Sequence, residues 1–111
     1  MAVIPDVDLE RVKQFCSEES PAEVADQLRV VYKVRGKSVT ISESRPPWDG
    51  RGTEWIDQPV AQVRYSPETH KWSLFWSDRN SRWHPYDLIR PGSLTSLLAE
   101  IKDDPTCIFW G

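Results

Sequence analysis

Two histidines, two cysteines and a scatter of carboxylates are the residues of this 111-residue chain that could do chemistry. His84 sits in Trp83-His84-Pro85-Tyr86-Asp87, where it could act as a general base backed by Asp78 or Asp87. A base needs a positioned reacting partner, and no serine lies in a strained strand-to-helix elbow to serve as nucleophile. His70 falls in or beside a turn and reads as surface. Two thiols and two imidazoles do not supply a four-ligand zinc site at any usual spacing. Cys16 shares a helical face with Leu9, Val12 and Phe15, which predicts a buried structural thiol. Cys107 has no base near it in sequence to lower its pKa. A disulfide between the two is not expected inside a cell. Asp78-Arg79-Asn80 matches no calcium-loop spacing. Asp103-Asp104 stands at a helix end whose dipole disfavours anions. P-loop, dinucleotide and metal-spaced His/Glu fingerprints do not occur, so no catalytic residue, metal or cofactor is assigned.

The elements that must position these groups follow from periodicity. Leu9, Val12, Phe15 and Cys16 recur at helical spacing over residues 6–16, with Asp6, Asp8 and Glu10 at the start, where the dipole favours anions. Ser20-Pro21-Ala22-Glu23 matches a capping box and predicts a short second helix to about residue 27. The period then becomes two. Residues 28–35 and 38–42 alternate around Gly36-Lys37, which predicts a hairpin. A connection over 45–59 holds Trp48 and Trp55 among prolines and glycines and exceeds the usual loop length. Strands over 60–65, 70–77 and 82–86 follow, separated by four-residue turns at 66–69 and 78–81. Ser93 then caps a helix whose Leu94, Leu97, Leu98 and Ile101 form one apolar stripe. The tail from Thr106 to Gly111 is apolar and expected to dock on the sheet or first helix. The expected fold is a single α+β domain over residues 1–111: a five-stranded antiparallel meander with N- and C-terminal helices packed on one face.

The predicted turns assign each strand residue a face. One face collects Val30, Tyr32, Val34, Val39, Ile41, Val63, Tyr65, Trp72, Leu74, Trp76 and Trp83, and the helices should cover it. The other collects Arg29, Lys33, Arg35, Arg64, Lys71, Arg82 and His84 among Ser and Thr hydroxyls, with Val31 and Phe75 as its apolar members. Charge by segment agrees. Residues 28–90 hold 11 Lys and Arg against 7 Asp and Glu, a net of +4, inside a chain of net −3. A cationic, hydroxyl-lined sheet face could hold phosphates, with Phe75, Trp48 and Trp55 available to stack on bases. The competing account is an ordinary solvated sheet face, which uses the same residue types.

Five segments together are similar to a family of small bacterial proteins described as a domain of unknown function, number 3024. They are Asp6-Val-Asp-Leu-Glu-Arg-Val, Arg45-Pro-Pro-Trp48, Trp72-Ser-Leu-Phe-Trp-Ser-Asp-Arg-Asn80, Arg82-Trp-His-Pro-Tyr-Asp87 and Asp104-Pro-Thr-Cys-Ile-Phe-Trp-Gly111. The resemblance spans nearly the whole chain and brings no activity, substrate or catalytic residue. It implies a free-standing intracellular protein. Export is not expected from the N-terminus, and no apolar run reaches the roughly 20 residues of a membrane span.

The leading functional expectation is a cytoplasmic, non-enzymatic binding module. Its basic sheet face would take nucleic acid or another polyanion through Arg29, Lys33, Arg35, Arg64, Lys71, Arg82 and His84. One alternative is an enzyme using His84 as base on an anionic substrate. Another is an interaction subunit contacting a protein partner or a second copy through Trp48, Trp55 and the tail. No membrane partner is expected.

Overall fold

Asp6 and Asp8 open the first helix, and Pro5 supplies the carbonyl that receives the Asp8 and Leu9 amides. In this computed structural model, which describes residues 4–24, 26–47 and 54–110, helix α1 runs Asp6–Glu19. Val12, Phe15 and Cys16 are buried along it, as their spacing requires. The second predicted helix is a single 3-10 turn at Ala22–Val24. Ser20 does not cap it, because its hydroxyl is already committed. That Oγ donates to the Cys16 carbonyl at 2.7 Å and accepts from the Val30 amide at 2.9 Å. It therefore closes α1 and fastens it to the first strand.

Five antiparallel strands follow in meander order: β1 Arg29–Arg35, β2 Ser38–Arg45, β3 Ile56–Ser66, β4 Lys71–Ser77 and β5 Trp83–Pro85. Gly36 takes a φ of 60° in the β1–β2 turn, a conformation that favours glycine. β3 takes up residues 56–59 of the predicted long connection and β2 takes up Arg45, which leaves 46–55 between them. The β2–β3 ladder slips between Ile41 and Ser42, where the partner changes from Ala61 to Pro59 and Val60 is the extra residue. Proline has no amide to donate, so a bulge suits it.

One turn is displaced along the chain and another is shorter than predicted, with opposite consequences. Ser66 pairs with Lys71 and Tyr65 with Trp72, so the β3–β4 loop is residues 67–70 and His70 turns it at φ 55°. The shift is two residues and every side chain keeps its face. At β4–β5 the loop has three residues, 79–81, with Ser81 left-handed at φ 61°. Ser77 then pairs with Trp83 and Trp76 with His84. That slip is one residue, and it exchanges the faces of Trp83 and His84.

α2 spans Leu94–Asp103 behind the Ser93 cap, whose Oγ accepts from the Ser96 amide. α1 packs on β1 and α2, and α2 packs on β3 and β4, so both helices lie on one face. Between them and the sheet sit Val12, Phe15, Leu94, Leu97, Ile101, Val39, Ile41, Ala61, Val63 and Trp72. Trp72 is 1% exposed, a burial worth on the order of 5 kcal/mol for a ring of this size. Its indole N–H donates to Asp8 Oδ2 at 3.0 Å, joining β4 to α1. Val34, expected in the core, is 47% exposed because β1 is an edge strand. The tail docks at the end of α2. Asp104 is left-handed there and its carboxylate accepts the Phe109 and Trp110 amides, while the Trp110 indole donates to the Ile101 carbonyl.

Candidate functional site

The helix-free face is read row by row from the ladder, since paired residues share a face. One row is Arg35, Ser38, Arg64 and Ser73; the next is Lys33, Thr40, Gln62, Phe75 and Pro85. Gln62 links them. Its amide donates to Thr40 Oγ1 at 3.0 Å, and its carbonyl oxygen accepts from Arg64 Nε at 2.7 Å. The Arg64 guanidinium lies 3.8 Å from the centre of the Phe75 ring, a cation–π contact. Gln62 does not stand out in sequence, because an isolated polar strand residue looks like any solvated position.

Two hollows flank this central ridge. A cleft of about 440 Å³ is lined by Ser66, Thr69, Lys71, Ser73, Arg90 and Pro91. A second, of about 380 Å³, is lined by Lys33, Val34, Arg35, Thr40, Ser42, Asp57 and Pro59. Arg90 escaped the sequence reading because it lies outside a regular strand. Tyr86 bonds to Leu74 and Gly92 rejoins the sheet at Trp72, so residues 87–91 bow outward from the edge and carry Arg90 to the cleft.

The sequence-predicted residues divide into three groups. Lys33, Arg35, Arg64 and Lys71 lie on the helix-free face, as expected. Arg29 is on this face too, but its guanidinium sits 4.2 Å from the centre of the Trp55 ring, so that end is occupied. Ser42 and Ser44 are buried nearby. Trp55 is thus folded back rather than extended, whereas Trp48 lies outside the described residues. Arg82 lies in the turn before β5, exposed, with its amide bonded to Asp78 Oδ1.

His84 is the clear correction. The one-residue slip places it with Trp76, on whose ring it stacks at 4.6 Å, and away from the basic face. Its Nε2 lies 2.7 Å from Asp78 Oδ2. The other Asp78 oxygen accepts the Asn80 and Arg82 amides, so the carboxylate organises the turn. The His84 contact, followed by these amides, holds the Asp78 carboxyl below its ordinary value. His84 and Asp78 form a clamp across a turn. Trp83, expected in the core, takes its place on the helix-free face. Cys16 is buried, and desolvation pushes its thiol up to about 12, which makes it inert; Cys107 is exposed. Among the described residues no group of three or more His, Cys, Asp or Glu side chains could hold a metal ion, and no helix is long and apolar enough to cross a membrane.

A family model described as domain of unknown function DUF3024 matches residues 2–111. The chain belongs to this family. No curated protein and no solved structure matches it. The DUF3024 match covers both helices and all five strands, so the basic ridge and its flanking hollows lie wholly within the family's span. The family description carries no activity, and the functional argument rests on the geometry of this face.

Proposed function

We propose that this DUF3024 protein is a non-enzymatic binding module that takes nucleic acid or another polyanion on the helix-free sheet face. The observation that carries the reading is the segregation of the layers. Both helices lie on one side, while Lys33, Arg35, Arg64 and Lys71 share the other with Ser38, Thr40 and Ser73. Hydroxyls and fixed guanidinium groups are suitable donors to phosphate oxygens. Asp57 at the rim of one hollow opposes anions and confines the favourable region to the Arg64–Lys71–Arg90 side.

Fluorescence anisotropy of labelled oligonucleotides and heparin, titrated across salt, tests this. Binding at micromolar concentration should weaken linearly on a log–log salt plot. Arg64→Ala and Lys71→Ala should each reduce the slope by about one unit. Salt-independent binding, or none at micromolar protein, would refute the reading.

A further inference from the structure

The exchange of Trp83 for His84 changes what the helix-free face can recognise. With His84 there, the face would be a plate of cations and hydroxyls. With Trp83 there, β4 and β5 present Phe75, Trp83 and Pro85 on one side, opposite the cations of β1 and β3. Phe75 and Trp83 are diagonal neighbours, since Trp83 pairs with Ser77, two residues beyond Phe75. Diagonal neighbours of this kind stand roughly 7–8 Å apart at the backbone, close enough for two successive bases to sit on the two positions. The Arg64 guanidinium lies over Phe75, so at that position the guanidinium, backed by the ring, is what a base meets, and a guanidinium accepts a stacked base as an aromatic ring does. Arg90 and Lys71, in the adjoining cleft, stand where the backbone of such a strand would leave the platform.

We infer that the polyanion is a single-stranded nucleic acid, whose bases stack on Trp83 and the Arg64–Phe75 pair while its phosphates meet Lys71 and Arg90; this rests on the reading of the face given above. A duplex fits less well. Five strands at about 4.8 Å spacing make a face roughly 19 Å wide, against a major groove of roughly 12 Å. Both helices that could enter a groove are on the other side of the sheet. Stacked bases inside a duplex also keep their faces from a protein platform.

The experiment compares a labelled thymidine 20-mer, an abasic strand of equal length and charge, a 20-base-pair duplex and inorganic polyphosphate, all at one salt concentration. The thymidine strand should bind at least tenfold more tightly than the abasic strand and the duplex. Phe75→Leu and Trp83→Leu keep apolar bulk in place. Each should weaken thymidine binding about fivefold or more and leave abasic-strand binding within about twofold. Arg64→Lys, which keeps the charge without the plane, should weaken the thymidine strand selectively. Thermal melts of each variant identify any loss that comes from unfolding, and Arg64→Lys, at an exposed position, provides an arm that does not depend on core packing. If the abasic strand or duplex binds as tightly as the thymidine strand, the stacking inference falls and the polyanion reading stands. If none of the four binds, both fall.

Discussion

Asp8 shows how one side chain can be misjudged from sequence. Its place in the first turn of α1 suggests a dipole-favoured surface carboxylate, yet it is buried and receives the Trp72 indole N–H as well as an Arg11 guanidinium N–H. Asp8→Ala leaves that indole donor without a partner in the core and should cost about 1–3 kcal/mol in urea unfolding, while Asp8→Asn, which keeps an acceptor, should cost less. Two other groups govern behaviour in alkali. Burial lifts the Cys16 thiol to about 12 from 9.0. Desolvation, with the hydrogen bond to Glu100, lifts the Tyr86 phenol to about 12 from 10.0. Below about pH 8 both are protonated in folded and unfolded chains alike and add no pH dependence. Between about 9 and 12 the unfolded chain gives up these protons first, so stability must fall as pH rises. Urea midpoints at pH 8 and pH 10.5 measure that fall, and the Cys16→Ala, Tyr86→Phe double variant should show a shallower one. A thiol reagent should label Cys107 alone in the native protein and both cysteines in urea.

Among the elements, the ends carry more information than the middles. The stripe of Leu94, Leu97, Leu98 and Ile101 was legible because a helix of period 3.6 needs little beyond its own residues and a core to face. The role of Asp104 was not. Two adjacent carboxylates at a helix C-terminus read as an electrostatic fault, but Asp104 turns left-handed and becomes the anchor of the tail. Asp104→Asn keeps one of the two acceptor oxygens and the tolerance for that conformation. Asp104→Ala loses both and should cost about 2–3 kcal/mol by urea unfolding. Asp104→Gly should fall between them. An equal cost for all three would remove the tail-anchor account. The tail docks, but its hydrogen bonds go to the end of α2 and not to the first helix, with Phe109 against Tyr86 at 5.1 Å between ring centres. The same lesson holds at the β4–β5 turn. Its three-residue loop depends on Ser81 accepting positive φ and on Asp78 gathering two amides. Those preferences are too weak in isolation to choose three residues over four.

For the whole molecule, the net charge of −3 misleads because the charge is layered. The helical segments are acidic and the strands between them basic, and the fold turns this order along the chain into two opposed surfaces. Binding of a polyanion should follow the local layer rather than the total. Reversing Arg64 and Lys71 to Glu should abolish binding in the anisotropy assay. Reversing Glu10 and Glu18 to Lys, on α1, should change affinity by less than about threefold at 150 mM salt, where the screening length is about 8 Å. Equal and opposite effects of the two double variants would show that net charge alone governs.

The sequence by itself determined the α+β class, the meander order, the apolar stripe of α2 and the cationic alternation of Lys33, Arg35, Arg64 and Lys71. These are periodic signals within single elements, or the order of the elements themselves, and neither depends on the length of a turn. The tertiary structure decided which aromatic joins those cations. Faces alternate with period two, so a single residue in a turn reverses every assignment beyond it. It was also the assembled fold that gave Ser20, Asp8 and Asp104 their hydrogen-bond partners, 10, 64, and 5 and 6 residues away, and that brought Arg90 into one cleft with Lys71. Hydrogen bonds over such separations leave no local pattern, because they are chosen by the packing of elements and not by the neighbours of each residue.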